Sequence, residues 1–196
     1  EHTPGGSSSG SAAAVAAGMV PLALGSQTNG SVIRPAAFCG VLGFKPTHGL
    51  IPRHGIFTLS RALDHVGLFA RTVEDIALLA EQLVGYDEHD PDTRPRARIP
   101  FAEVAAEKPP LEPMFAFMKT PHWERADEET KAAFAELIEH LGDRVEEIEL
   151  FPSAAEAWGW HRTIMEAEMA ANLEREWDKG RDRLSESLRA QLQRGR

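Results

Sequence analysis

The fold class that this sequence predicts is α/β, and three observations support the prediction. Short apolar runs bounded by Gly and Pro alternate with segments of helical periodicity along the 196 residues. Hydrophobic residues make up 42% of the chain, which is enough for a domain with a real core and too much for disorder. Residues 1–60 hold one acid and ten of the sixteen glycines but keep a thread of Val, Leu and Ile, so we expect them to be buried.

The first 70 residues predict one helix and four strands. Ala12–Ala17 is a strong helix former, and Gly18 stands where a left-handed cap would end the helix. Four short apolar runs predict buried strands: Val20–Leu24, Val41–Phe44, Ile56–Leu59 and Val66–Phe69.

A second helix is predicted to begin at Thr72, which is paired with Asp75 in an arrangement similar to a capping box. Apolar residues then recur at helical spacing until Gly85, at Ile76, Leu79, Ala80 and Leu83. Residues 91–113 contain six of the thirteen prolines, which predicts an extended connector.

The remainder of the chain continues the alternation of strands and helices. Eighteen acids lie from residue 124 onward, which indicates solvent-facing helices. The elements expected here are a strand over Met114–Met118, a helix from Asp127 to Gly142, a strand over Val145–Leu150 and a long helix opened by Ser153 with Glu156. A late amphipathic helix carries Leu184, Leu188 and Leu192 and is expected to contact the core or a partner chain.

Composition excludes several classes of function. The net charge of −9 argues against nucleic acid as a partner, because phosphate binding needs clustered positive charge. Cys39 is the only cysteine, and the eight histidines show no ligand spacing, so we expect no disulfide, no metal and no cofactor. The apolar stretches are too short for a membrane span and no signal peptide opens the chain, so we expect a cytoplasmic protein with no membrane partner.

Three interpretations compete for the function of the segment Gly5–Ser11. A phosphate-binding loop would need a Lys-Ser/Thr pair, and no lysine precedes Lys45. A nucleophile elbow around Ser8 fits the pattern G-x-S-x-G, but no apolar strand runs into it. The third interpretation joins this segment to the later loop Gly25–Pro35. A flexible linker without function is disfavoured by the helix that follows at once.

The run PGGSSSGSAAAVAAGMVPLALGSQTNGSVIRPAAFCGVLGFKPT, residues 4–47, resembles the amidase signature family. The resemblance continues through HGLIPRHG, DHVG and RTVED and covers about residues 3–93. It implies a mixed β-sheet core covered by helices, of which this chain is expected to be a partial fragment. The domains we expect are a signature core with the nucleophile loop over residues 1–90, the connector over 91–113, and an α/β continuation over 114–196 that is truncated at its C-terminus.

The resemblance also implies the catalytic residues. Ser31 corresponds to the nucleophile, and Ser7, 24 residues earlier, corresponds to the serine that follows a cis peptide bond and relays the proton. The resemblance implies a lysine as base, at a position upstream of residue 1. Serine needs a base to become nucleophilic, and burial lowers the pKa of lysine enough for its neutral form to act as that base. Backbone N–H groups of Thr28, Asn29, Gly30 and Ser31 would form the oxyanion hole, with Ser8, Gly6 and Arg34 in support.

The function implied is hydrolysis of a non-peptide amide through a serine acyl-enzyme, with a small-molecule amide as substrate. Asn29 stands where the family commonly has Gly, and Asn tolerates positive φ better than most residues. Two alternatives stay open: an inactive amidase-like domain that binds or scaffolds, and an amidotransferase A-type subunit. The sequence leaves a homodimer open as well.

Overall fold

The computed structural model describes residues 2–196. Its contacts divide the chain into two compact units: the chain up to Glu107 together with Thr163–Arg196, and Lys108–Arg162. We call these the first unit and the second unit. The division differs from the one expected at residues 90 and 113, because the last helices of the chain pack with its first hundred residues.

The structure confirms the α/β class. In chain order its elements are α1 Ser9–Ala16, β1 Leu22–Gln27, α2 Ile33–Cys39, β2 Leu42–Phe44, β3 His65–Ala70, α3 Val73–Leu83, α4 Phe101–Ala106, β4 Phe115–Phe117, α5 Glu128–Leu141, β5 Val145–Glu147, α6 Ala157–Asn172, α7 Glu174–Gly180 and α8 Glu186–Gly195.

Strand β3 lies at the centre of the first unit. It pairs antiparallel with β1 on one side and with β2 on the other, and the β1 ladder runs from Leu22 opposite Ala70 to Gln27 opposite His65. This ladder explains why β1 continues to Gln27, three residues beyond the end of the predicted strand Val20–Leu24. A strand keeps its hydrogen bonds as long as its partner continues.

Each face of β3 is covered by helices. Val66, Leu68 and Ala70 pack with residues of α3, and Phe69 packs with α1 and α2 on the opposite face. The alternation follows from the two-residue period of a strand, and all of these side chains are buried. Gly67 faces Val32, where a Cβ would lie 2.6 Å from a methyl carbon of that valine. The close approach of α2 to the sheet therefore requires glycine at position 67.

Two predictions for the first unit were wrong. Ile56–Leu59 is not a strand: Ile56 N donates to the Arg53 carbonyl in a turn, and Leu59 N donates to Asp64. The proline-rich connector contains helix α4, which is held because Ala102 N donates to Glu81 and the Phe101 ring packs edge-on against Phe44 at 6.3 Å.

The C-terminal helices form a third cluster in the first unit. Met169 and Leu173 pack with Leu192 of α8, together with the partly buried Leu59 and Leu188. Leu192 is buried, so its amphipathic helix contributes to the core, one of the two expected roles. The side chain of Ser185 caps this helix by accepting from Leu188 N at 3.2 Å.

The second unit is a β4–α5–β5 arrangement in which the two strands pair in parallel. Asp127 caps α5, as predicted, by accepting from Thr130 N at 2.7 Å. The predicted strand Val145–Leu150 ends at Glu147, because β4 offers it only three residues to pair with. The long helix begins at Ala157 instead of Ser153, since Pro152–Glu156 forms a 3₁₀ turn. No helix among residues 2–196 is long and apolar enough to cross a bilayer.

Candidate active site

The loop that contains Ser31 connects the end of β1 to the start of α2. Thr28 follows the last residue of the strand, and α2 begins at Ile33, two residues after Ser31. Ser31 is half-buried. The loop therefore lies at the end of β1, which is an edge strand of the three-stranded sheet.

Gln27, the last residue of β1, braces this loop from inside. Its side chain is buried, at 8% exposure, and its Oε1 accepts hydrogen bonds from Val32 N at 2.8 Å and Ile33 N at 3.0 Å. These are N–H groups at the start of α2, which have no partner within the helix. The glutamine thus fixes the two residues that directly follow Ser31.

Arg34 joins the Ser31 loop to the glycine-serine segment at the start of the chain. Its Nη1 donates to the Gly6 carbonyl and its Nη2 donates to Asn29 Oδ1, each at 3.0 Å. Among the described residues positive φ occurs only at glycines, so Asn29 keeps an ordinary backbone conformation. Asparagine at this position acts through its side-chain oxygen, and its tolerance of positive φ is not used.

The peptide bond between Gly6 and Ser7 is cis, the geometry that the family resemblance implied for Ser7. Ser7 is exposed, and the next residue, Ser8, donates its backbone N–H to the Ser31 carbonyl at 3.2 Å. Gly5, with φ of +76°, packs against Pro35 of α2. The structure therefore brings the Ser7 segment against the Ser31 segment.

Ser8 is engaged on both sides of its hydroxyl. Its Oγ donates to the Ser26 carbonyl and accepts from Ser26 N, both at 3.2 Å. A Cβ at Gly25 would lie 2.6 Å from this Oγ, so glycine is required there for the contact. The Ser8 hydroxyl therefore attaches this segment to β1 through two hydrogen bonds. A hydroxyl engaged in this way disfavours the nucleophile-elbow interpretation, in which Ser8 would be the nucleophile.

The structure also disfavours two other interpretations of Gly5–Ser11, the flexible linker and the phosphate-binding loop. Helix α1 begins at Ser9, so the segment is not a flexible linker. Lys45, the first lysine of the chain, donates Nζ to the Pro46 carbonyl at 2.8 Å, so it does not complete a phosphate loop.

Among residues 2–196 no cluster of three or more His, Cys, Asp or Glu could hold a metal ion.

Asp64 contacts the first residue of the Ser31 loop. Its Oδ1 accepts from the Thr28 hydroxyl at 2.6 Å, and its Oδ2 accepts from Leu59 N and Ser60 N at 2.8 and 2.9 Å. Directly after it, burial lowers the pKa of His65, whose Nδ1 lies 2.7 Å from the Leu63 carbonyl. Asp64 therefore connects the start of the Ser31 loop to the turn at Leu59 and Ser60 and to β3, which begins at the next residue.

A cavity of about 340 Å³ opens beside Asp64. A cluster of ion pairs forms part of its wall, in which Arg53 contacts Asp90 and Asp92 and Arg61 contacts Asp92 at 3.0 Å. The hydrogen bond from Arg61, with a second from Arg53, lowers the pKa of Asp92 to about 2. This part of the wall therefore consists of charged side chains that pair with one another.

Sequence reasoning missed the roles of Gln27 and Asp64. Gln27 could have been noticed as a polar residue at the end of an apolar strand, directly before the candidate oxyanion loop. Asp64 gives no comparable local signal, because its partner Thr28 is 36 residues away.

Comparison with known proteins gives a consistent result. A family model described as Amidase matches residues 1–195. The chain is 41% identical to the A-type subunit of the Glutamyl-tRNA(Gln) amidotransferase of Methylacidiphilum infernorum, over 89% of this chain and 36% of that protein. It therefore spans about a third of the length of this curated relative.

Solved structures agree with that match. A chain of a vestigial protein complex that reveals the evolutionary origins of an s-triazine catabolic enzyme superposes with a TM-score of 0.87 and 30% identity, over 98% of this chain and 41% of the other. The native peptide amidase of Stenotrophomonas maltophilia superposes with a TM-score of 0.72 and 33% identity, over 92% of this chain and 38% of that one.

Proposed function

The chain belongs to the amidase family, and from this premise we propose that the protein containing it cleaves a carbon–nitrogen amide bond with Ser31 as nucleophile. The substrate class is a small non-peptide amide. The observation that supports the proposal is the joining of two distant glycine-serine loops: Ser8 N bonds the Ser31 carbonyl, and Arg34 bonds the Gly6 carbonyl.

In the proposed reaction the Ser31 hydroxyl attacks the amide carbonyl carbon. Its proton passes to Ser7 while Ser7 passes its own proton to a lysine base upstream of residue 1. The C–N bond then breaks as the lysine returns the proton through Ser7 to the leaving amine. Water then attacks the acyl carbon and gives a proton through Ser7 to the lysine. The bond between that carbon and Ser31 Oγ breaks, Ser31 takes the proton back through Ser7, and the acid is released.

The oxyanion formed at each stage needs donors that are already in place. Backbone N–H groups of the loop Thr28–Ser31 would supply them, and each donor is worth about 3–4 kcal/mol of barrier. The loop suits this role because its start is bonded to Asp64, its interior to Arg34 and the helix after it to Gln27. A preorganised loop does not have to be ordered at the moment of reaction.

A second candidate is the chemistry of an amidotransferase A-type subunit, in which the released amide nitrogen goes to an acceptor. The identity of 41% with the corresponding chain of a Glutamyl-tRNA(Gln) amidotransferase favours it. Such a protein would need further chains as partners. The cytoplasmic location and the homodimer stay predictions of the sequence.

The test is covalent labelling of the whole protein that contains this chain. A fluorophosphonate probe should form a single adduct on Ser31, located by mass spectrometry. Ser31→Ala should abolish labelling and lower amide turnover on the order of 10⁴-fold or more. Ser9→Ala, a change in helix α1 outside the proposed triad, is the control and should keep both.

An adduct on Ser8 would refute the assignment of Ser31. Normal amide turnover in Ser31→Ala would refute Ser31 as the nucleophile. A protein with no labelling and no turnover on any amide would instead be the inactive binding domain.

A further inference from the structure

We propose that Thr28 and Asp64 are positioning residues for catalysis: their side-chain hydrogen bond holds the oxyanion loop in its working geometry. The inference rests on the proposed function of Ser31. Neither side chain is assigned to the chemistry itself, since Thr28 enters the proposed mechanism only through its backbone.

The first step of the argument is the bond itself. The Thr28 hydroxyl donates to Asp64 Oδ1 at 2.6 Å in a partly buried position. A hydrogen bond to an ionised carboxylate is about twice as strong as one between neutral groups. Thr28 is the first residue of the loop that contains Asn29, Gly30 and Ser31, so this bond fixes where the loop leaves the strand.

The second step is the place of Asp64 in the sheet. The ladder between β1 and β3 ends with Gln27 opposite His65. Thr28 and Asp64 are the next residues on the two strands, so their side-chain bond continues the register by one pair. The bond therefore anchors the loop to the central strand of the first unit.

The third step is the support behind Asp64. Its second oxygen accepts from Leu59 N and Ser60 N, which fixes the orientation of the carboxylate. Ser60 is fully buried and its hydroxyl bonds the Glu168 carboxylate, which also accepts from Ala62 N at 3.0 Å. Asn172 of the same helix, α6, donates to the Leu59 carbonyl at 3.0 Å.

These contacts form one continuous path. Glu168 of α6 holds the turn at Ser60, the turn holds Asp64, and Asp64 holds Thr28. A displacement of reacting groups by about 1 Å can lower a rate 10²-fold. Through the loop, the path therefore affects how well the transition state is stabilised, which sets kcat. Substrate binding should stay nearly unchanged.

The experiment measures kcat and KM for amide hydrolysis by the whole protein carrying single substitutions. Thr28→Val keeps the shape of the side chain and removes the donor, so we expect kcat to fall about 10- to 100-fold while KM stays within about 2-fold. Thr28→Ser keeps the hydroxyl and should retain kcat within about 3-fold. Thr47→Val, at an exposed threonine outside the loop, is the matched control and should behave as wild type.

Glu168→Gln tests the far end of the path. It weakens the support of the turn without touching Thr28, and we expect a fall in kcat of about 3-fold with no change in KM. The rate of fluorophosphonate labelling per folded molecule provides a second measurement should Thr28→Val fold poorly, and it should fall in parallel with kcat.

A Thr28→Val protein with wild-type kcat and labelling rate would overturn the inference. So would a Thr28→Ser protein that loses as much as Thr28→Val, because the hydroxyl would then not be the cause. Ser31→Ala separates this failure from failure of the proposed nucleophile. Activity that survives Ser31→Ala refutes the catalytic role of Ser31, on which the inference rests. Activity that is lost in Ser31→Ala but unchanged in Thr28→Val refutes the positioning role alone.

Discussion

The first unit is organised around buried side chains, whereas the second unit has none. Leu68 and Phe69 in the first unit are completely shielded from solvent, and clusters of apolar residues cover both faces of β3. No residue between 108 and 162, all of which the structure describes, is buried. Leu137 and Trp158 there are exposed by 50% and 58%.

The second unit relies on local interactions instead. Asp127 caps α5, the rings of Phe117, Trp123 and Phe134 lie within 6 Å of one another, and Lys119 pairs with Glu147 at 2.6 Å. The comparison teaches that the site needs the first kind of organisation. A catalytic loop must keep its position to within fractions of an ångström, so it must be attached to rigid elements. Strands and helices that pack around a dense core are rigid in this sense.

The largest expected effect is the difference in the free energy of unfolding when the same substitution, Leu to Ala, is made in each unit. Leu68→Ala removes a fully buried side chain of β3 and should lower the free energy of unfolding by about 3 kcal/mol, because transfer and cavity costs add. Leu137→Ala makes the same chemical change at a half-exposed position and should cost less than about 1 kcal/mol. Urea unfolding, with hydrogen exchange reading each unit, measures both; equal losses would contradict the comparison.

A smaller loss of stability is expected at Gln27 of the first unit, whose side chain accepts hydrogen bonds from the start of α2. Gln27→Met keeps the length of the side chain but leaves the N–H groups of Val32 and Ile33 without their acceptor, at a cost of about 2 kcal/mol. Gln27→Glu keeps an oxygen in place and should cost less than half as much. The amides of these two residues should exchange faster in Gln27→Met alone, and protection that persists there would rule out the brace.

The smallest effect concerns ion pairs and depends on pH. Asp92→Asn should lower the free energy of unfolding at pH 7 by about 1 kcal/mol, because Arg53 and Arg61 both bond the carboxylate. The pKa of Asp92 is lowered from 3.8 to about 2, so its stabilisation is complete above pH 3.8 and is lost as pH falls through about 2.

The control for this prediction lies in the second unit. Glu147→Gln breaks the exposed pair with Lys119 and should cost no more than about 0.5 kcal/mol at pH 7. Urea titrations should show the same Asp92→Asn difference at pH 7 and 5 and a smaller one at pH 3. A difference that grows on acidification would contradict the assignment.

The sequence predicts those parts of the fold that depend on local signals. Thr72 and Asp127 have the pattern of helix caps, and both accept the expected backbone hydrogen bond. The family resemblance of residues 4–47 implies Ser7 and Ser31 as site residues, and the cis peptide bond lies where that resemblance places it.

What the sequence could not give depends on partners far along the chain. The apolar run Ile56–Leu59 resembles a strand, but Leu59 gives its N–H to Asp64 instead of a neighbouring strand. Helix α4 is hidden by flanking prolines, because the contacts that hold it come from Glu81 and Phe44. Propensity is a weak prior, and tertiary contacts decide these segments.

The ties of the Ser31 loop to the rest of the chain have a consequence for protein engineering. Residues 25–35 are held by the Gly6 carbonyl, by Ser8 and by Asp64, none of which lies within the loop itself. A transplant of this segment into another scaffold would carry Ser31 and Gln27 but leave those anchors behind. A segment that keeps these anchors must extend from Gly6 to Asp64, and the turn at Ser60 also needs Glu168 of α6.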